Sequence, residues 1–462
     1  MKARTPNFLL LVADQHRWDC VGAAGRLSIR TPNLDRLAAD GAFFEQAYTP
    51  IPVCAPARQA LLSGLAPDEL GALWNPDFLP TPTLAPDDGF YTAVLAQAGY
   101  CCSLVGKWNT SLTHQPADFG FTHHIDYSGY NSLLKEKYPD LTYRNGWFGE
   151  PSPVALEDSK THWAAREACS LIEASSRRSE PWLVRVDFSD PHLPCHPSEP
   201  FASSVDPDGL EPWDSFGDTL DHKPYIQRQQ IINWHLEGRS WADWRSTVAC
   251  YYAMVGQIDD AVGLMLNKLD ELGLRQDTVV IYTTDHGDLC GGHGMLDKHY
   301  VLYDDVTRVP LIIRWPAQIA AGQRIPEYVS SCLDIGATIG SLSGLPDVKP
   351  GHGRSLAPLL QGTRQPERDF AVCSGNGQQF GLYTQRSIRT AEWLYVWNLT
   401  DHDELYDVGK DPGQKINRAD RPELQDVIHS LRRRLHAELI RRGDPFARSG
   451  WLEGQLLENR KI

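Results

Sequence analysis

The sequence predicts an α/β protein: a large, mostly parallel sheet flanked by helices, followed by a smaller α+β domain at the C-terminus. Three observations carry this. Apolar runs of about one strand's length recur between residues 7 and 316, and several end abruptly in acids or histidines. Amphipathic helical stretches lie between them. After about residue 360 the texture changes to short strand-like pieces and a final helix. A chain of 462 residues is long enough for one large core and a second, smaller one.

Taken in order, NFLLLVADQ (7–15) reads as a buried strand ending at Asp14. PNLDRLAADG (32–41) is a helix, with Leu34, Leu37 and Ala38 on one face and Gly41 as its stop. In PVCAPARQALLSG (52–64), Pro56 suits the first turn of a helix, which puts Cys54 at a positive helix N-terminus beside Arg58. GKW (106–108) follows a short apolar stretch and places Lys107 at another strand end. PWLVRVDFSDPHLP (181–194) is a strand running into Asp190 and His192. YYAMVGQIDDAVGLMLNKLDELG (251–273) is a long amphipathic helix. DTVVIYTTDHGD (277–288) is a strand ending at Asp285 and His286, and VPLIIRWP (309–316) is another buried strand. Continuously apolar strands alternating with helices are the mark of a parallel sheet covered on both faces. Ligands of such sheets bind beyond the carboxyl ends of the strands, so these acids and histidines belong to one convergent site.

RSLAPLLQGTRQPERD (354–369) reads as a surface connection. FAVCSG, RSIRTA and EWLYVWNL read as short strands, and PELQDVIHSLRRRLHAELIRRG (422–443) as an amphipathic helix. The expected division is a catalytic unit at 1–362 and a small α+β unit at 363–462.

The net charge is −15, which argues against nucleic acid as a partner but not against a small anionic substrate in a locally positive pocket. No run approaches the ~18 apolar residues of a membrane span. The N-terminus shows no long apolar signal region, so the expectation is a cytoplasmic protein with no membrane partner. Ten cysteines are too sparse for a disulfide scaffold, and no CxxC pair announces zinc. Most should be buried free thiols. Cys54 is open to three readings: an ordinary buried thiol, a thiolate activated by its helix terminus, or the precursor of something else. A thiolate nucleophile would want a His–Asn/Asp partner, and no local signature supplies one.

Cys54, Pro56 and Arg58, with ALLSG behind them, resemble the signature of the type I sulfatases; Ala57 stands where many members carry Ser. Six further segments resemble that family in its own order: TPNLDRLAADGAFFEQAYT (31–49), GKW, DPHLP (190–194), TTDHGD (283–288), DKHYVLYDDVTRVPLIIRWP (297–316) and ELYDVGKDPGQKINRAD (404–420). The resemblance covers nearly the whole chain. It implies an alkaline-phosphatase-like sandwich with a large mixed, mostly parallel sheet and a small C-terminal α+β domain. It implies that a maturation enzyme oxidises Cys54 to formylglycine, which works as its gem-diol. One divalent metal is then held by Asp14, Gln15, Asp285, His286 and position 54. Mostly oxygen ligands suit a hard cation; the family implies Ca²⁺, and the histidine leaves Mn²⁺ or Mg²⁺ open.

By the same resemblance, Lys107 and Lys298 contact the sulfate, Arg58 holds the formylglycine hydroxyl or the metal ligands, and His192 stabilises or protonates the departing alkoxide. The reaction implied is sulfate monoester hydrolysis through a covalent sulfated enzyme, on a small organic or sugar sulfate. Two departures matter. Asn109, beside the substrate, replaces a frequent histidine and cannot accept a proton as imidazole does; His299, His293 and His196 are candidates for that role. Gln15 stands where many members have a second Asp. The alternative is a phosphonate monoester or phosphodiester hydrolase of the same superfamily, which shares the Asp-Gln opening, whereas Lys107 matches the sulfatase pattern. A catalytically silent anion-binding protein would explain Asn109 but not the rest of the set. Specificity is expected in loops 65–83, 203–245 and 374–384.

Overall fold

The computed structural model describes residues 5–25, 29–76, 81–363, 368–377 and 381–460. Residues 77–80 and 378–380 of the expected specificity loops, and 364–367 beyond the expected division, lie outside the described residues. Eight strands form the main sheet: β1 Asn7–Ala13, β2 Ala42–Tyr48, β3 Cys101–Gly106, β4 His123–Ile125, β5 Trp182–Asp187, β6 Thr278–Thr284, β7 Ile312–Arg314 and β8 Gln323–Ser330. Their order is β4-β3-β5-β1-β6-β7-β2-β8. All pairings are parallel except those of β7, which runs antiparallel to β6 and β2.

The side chains of β1 show why the strands are apolar on both faces. Phe8, Leu10 and Val12 enter one core with the helices Cys54–Ser63 (α2) and Ser331–Ser343. Leu9, Leu11 and Ala13 enter the other, with Pro32–Ala39 (α1), Lys160–Ser176 and Trp241–Glu271. The last helix begins ten residues before the expected start at 251, because Ser240 and Asp243 form a capping box that sets its N-terminus. The expected strand at 309–316 shrinks to three residues. Among the described residues no helix is long and apolar enough to cross a membrane. All ten cysteines are free, and eight of them are buried.

The second sheet is antiparallel, in the order β12-β11-β10-β9: β9 Phe370–Gly377, β10 Tyr383–Thr390, β11 Trp393–Asn398 and β12 Glu404–Asp407. One face buries Val372, Ile388, Tyr395 and Trp397 under the helix Gln425–Arg441. The other buries Cys373, Leu394, Val396 and Tyr406 against Leu289, Val301, Leu302 and Tyr303 of the main body. Contact is tight at the β9–β10 hairpin. Gln385 Nε2 donates to the Tyr300 carbonyl at 2.8 Å, and the Tyr300 hydroxyl donates to the Gly381 carbonyl at 3.1 Å. A Cβ on Gly377 would collide with the Tyr300 ring, so only glycine fits there. A helix at Gly450–Glu458, absent from the sequence reading, packs on Gln425–Arg441.

Candidate active site

Four adjacent strands, β3, β5, β1 and β6, deliver their carboxyl ends to one place. Asp14 and Gln15 follow β1, Asp285 and His286 follow β6, Lys107 follows β3, and β5 ends at Asp187 and leads to His192. Cys54 is the first residue of α2, whose ten residues are all buried. Its Sγ lies 3.3 Å from His286 Nε2 and 3.7 Å from Asp14 Oδ1. Ligand atoms of Asp14, Cys54, Asp285 and His286 all lie within 4.8 Å of one another.

Arg58, one turn along α2, is fully buried and ties the strand ends together. Its Nε donates to Asp285 at 3.0 Å, Nη1 to Asp187 at 2.8 Å and Nη2 to Asp14 at 3.2 Å. Lys107 Nζ donates to Asp14 Oδ2. Lys298 Nζ is placed among Gln15 Oε1 at 2.9 Å, His192 Nε2 at 2.8 Å and Asp297 Oδ1 at 3.1 Å. His192 Nδ1 meets the Leu193 carbonyl at 2.7 Å, so its proton sits on Nδ1 and Nε2 accepts from the lysine.

These charges govern the thiol. Burial and Asp14 push Cys54 up, but Lys107, Lys298 and His286 outweigh them and hold it well below the ordinary thiol range. Burial also opposes ionisation of Asp14, yet Lys107, His192 and Arg58 hold it well below the usual carboxylate range. Asp285 goes the other way, raised by burial and by the charge of Asp14. Burial lowers His286, but Asp285 and Cys54 bring it up to about 9.

The donor set fits a divalent cation. Two buried carboxylates and an imidazole converge, and the His286 Nδ1 bond to the Gly287 carbonyl at 2.9 Å leaves Nε2 facing the cluster. Asp285→Ala is expected to strip the bound metal, read by elemental analysis of purified protein.

Gln15 lies beside the four-residue cluster, with Oε1 accepting from Lys298 and Nε2 donating to Asp288 Oδ2 at 2.7 Å. Asn109 is half-buried two residues past Lys107, and among the described residues no hydrogen bond joins it to these groups. Of the three candidate histidines, His293 is held by Asp218 at 2.6 Å and stacks on Tyr303. His196 stacks on Tyr143. His299 adjoins Lys298, with Nε2 on Asp297 at 3.1 Å and Nδ1 buried without a partner among the described residues.

Sequence reasoning missed Arg185, Asp187, Asp288 and Asp297. Arg185 clamps Asp187 with Nε at 2.7 Å and Nη2 at 2.6 Å, which fixes the carboxylate that Arg58 uses. The signal was present: a charge inside the apolar run WLVRVD needs a partner, and Asp187 lies two residues on, along the same strand face.

The sulfatase family profile matches residues 6–345, and that of the N-sulphoglucosamine sulphohydrolase C-terminal region matches 291–441. The uncharacterized sulfatase YidJ of Escherichia coli (strain K12) is 28% identical over 97% of this chain and 90% of its own length. The phosphonate monoester hydrolase of Agrobacterium radiobacter has the same fold, with a TM-score of 0.79 at 23% identity over 95% of this chain and 96% of that one. A 2-O GAG sulfatase superposes with a TM-score of 0.77 at 23% identity, covering 96% and 94%. The alkaline-phosphatase-like architecture thus stands, and with the profile spanning the whole strand-end cluster, the chain belongs to the sulfatase family and is a sulfuric ester hydrolase.

Proposed function

We propose that the chain hydrolyses a sulfate monoester, with position 54, matured to formylglycine, as the nucleophile. The observation that carries this is the setting of Cys54: first residue of a buried helix, 3.3 Å from His286 Nε2, with Lys107 and Lys298 among the charges that act on it. When present, the hydrated aldehyde supplies the attacking hydroxyl, and a divalent metal, Ca²⁺ by the family's habit, supplies the Lewis acid that activates it.

The chain's own residues do the remainder. The N-terminus of α2 and the two ammonium groups bind the sulfate oxygens and balance charge as the ester bond breaks. Asp14, Asp285 and His286, with Gln15 beside them, would hold the cation, and Arg58 keeps the two carboxylates apart and oriented. His192, whose Nε2 lies 2.8 Å from the Lys298 ammonium, stabilises or protonates the departing alkoxide. His299 is the histidine that stands in for the one missing at Asn109, because it adjoins Lys298 while His293 and His196 are engaged elsewhere. Residues 1–362 carry this chemistry, and 363–462 form the smaller unit docked against it.

The matched 2-O GAG sulfatase favours a saccharide sulfate as the substrate. A second reading, phosphonate monoester hydrolysis, is favoured by Gln15, whose neutrality makes the pocket more cationic than an Asp would, and by the fold match to a phosphonate monoester hydrolase. One charge–charge interaction in a partly wet pocket is worth about 1–4 kcal/mol, or roughly one to three decades in rate. Sulfate esters are expected to lead by no more than that. The test is kcat/KM for an aryl sulfate, phosphate monoester and phosphonate monoester with one common leaving group. A phosphonate value above the sulfate value reverses the assignment.

A further inference from the structure

We propose that Asp288 is a positioning residue that acts through Gln15, holding its amide so that the oxygen, not the nitrogen, is presented to Lys298. This rests on the site reading above. The main chain at Gln15 is fixed from both sides. Its φ is +71°, its N–H donates to Asp285 Oδ1 at 3.1 Å, and its carbonyl accepts from the Tyr251 hydroxyl at 2.7 Å. One freedom remains, the sense of the side-chain amide. Nε2 donates to Asp288 Oδ2 at 2.7 Å, and Oε1 accepts from Lys298 Nζ at 2.9 Å. Turned over, the amide would set oxygen against a carboxylate and NH₂ against an ammonium, so both contacts would become repulsive.

Asp288 is itself immobile. Its other oxygen accepts from the Cys290 N–H at 2.8 Å, and its carbonyl accepts from Arg17 Nη1 at 2.7 Å. Both Gln15 and Asp288 are buried, so water cannot replace either partner cheaply.

The pair has a consequence for position 15. A carboxylate there would face Asp288 within hydrogen-bond distance, in a buried setting where two such charges cannot both persist. The glutamine at position 15 thus fits its surroundings: the acid stands at 288, and position 15 reaches Lys298 with a neutral oxygen.

A reciprocal exchange tests this. Gln15→Glu, Asp288→Asn and the double variant are produced with the maturation enzyme. The readouts are the thermal unfolding midpoint, Ca²⁺ affinity by calorimetry and kcat/KM on an aryl sulfate. Gln15→Glu alone should lower kcat/KM by about a hundredfold and Asp288→Asn alone by about tenfold. The double variant should regain at least about tenfold over Gln15→Glu, with the midpoint and Ca²⁺ affinity following. In it, the amide introduced at position 288 and the Lys298 ammonium would both donate to the carboxylate introduced at position 15. Losses that simply add overturn the proposal, since a merely structural Asp288 gives no rescue. If Gln15→Glu does not fold, a folded double variant supports the proposal and an unfolded one overturns it. If even the wild type lacks sulfatase activity, the functional reading fails, while the cycle in unfolding midpoints still decides on Asp288.

Discussion

Cys54→Ser is expected to lose about four decades or more of kcat/KM, the scale on which removal of a covalent nucleophile acts. The variant keeps a small polar atom at the head of α2 and disturbs no packing, so the loss reports chemistry and not folding. The stronger comparison is wild-type protein made without a maturation enzyme. There the thiol remains, in a setting where Lys107, Lys298 and His286 outweigh burial and Asp14 and favour the thiolate. If a thiolate were the working nucleophile, this protein would be fully active in reductant. The expected result is no turnover, with intact mass confirming an unmodified Cys54; full activity in that sample would reject the formylglycine reading.

Arg58→Leu is expected to cost about 3–5 kcal/mol of stability, the range seen when one member of a buried ion pair is removed. Arg58 is fully buried, and its guanidinium serves Asp14, Asp187 and Asp285 at once. Leucine leaves three carboxylates around an apolar side chain. Arg185 still neutralises Asp187, and Lys107 still reaches Asp14, so the uncompensated charge falls mainly on Asp285, which burial already pushes up. Urea unfolding followed by tryptophan fluorescence checks this. Arg58→Lys should recover only part of the loss, because a point charge cannot span three acceptors that a planar fork reaches together. An unfolding curve unchanged from wild type would show that the acids are stable without the arginine.

The strand ends of the site were legible because physics writes them plainly: an apolar run that must be buried stops where Asp14, Lys107 or Asp285 begins. Cys54 at the head of α2 was legible from Pro56, which is tolerated only in a first turn. Arg185 was hidden by the same rule that found its strand, since a run read as uniformly apolar conceals a charge whose partner lies on the same face. The start of the helix at Ser240 was readable in its capping box but obscured by the mixed residues of 241–250. The helix Gly450–Glu458 was hidden by Gly450 and Gly454, both poor helix formers that packing overrides. The run 309–316 read as one more buried strand without a direction; direction is set by the route of the connections, which hydropathy does not encode.

The hairpin contact at Tyr300 has a bearing on the order in which the molecule is made. Lys298 leaves the ribosome long before Gln385 and Gly377, whose strand and hairpin hold Tyr300 in place. The segment bearing the lysine meets Gln15, His192 and Gln230 in the main body, but its wall at Tyr300 is supplied only by the last quarter of the chain. That wall is therefore the latest part of the lysine's surroundings to be made. A prematurely terminated chain contains the nucleophile, the acids and both lysines, yet lacks one of the surfaces against which the segment of the second lysine rests.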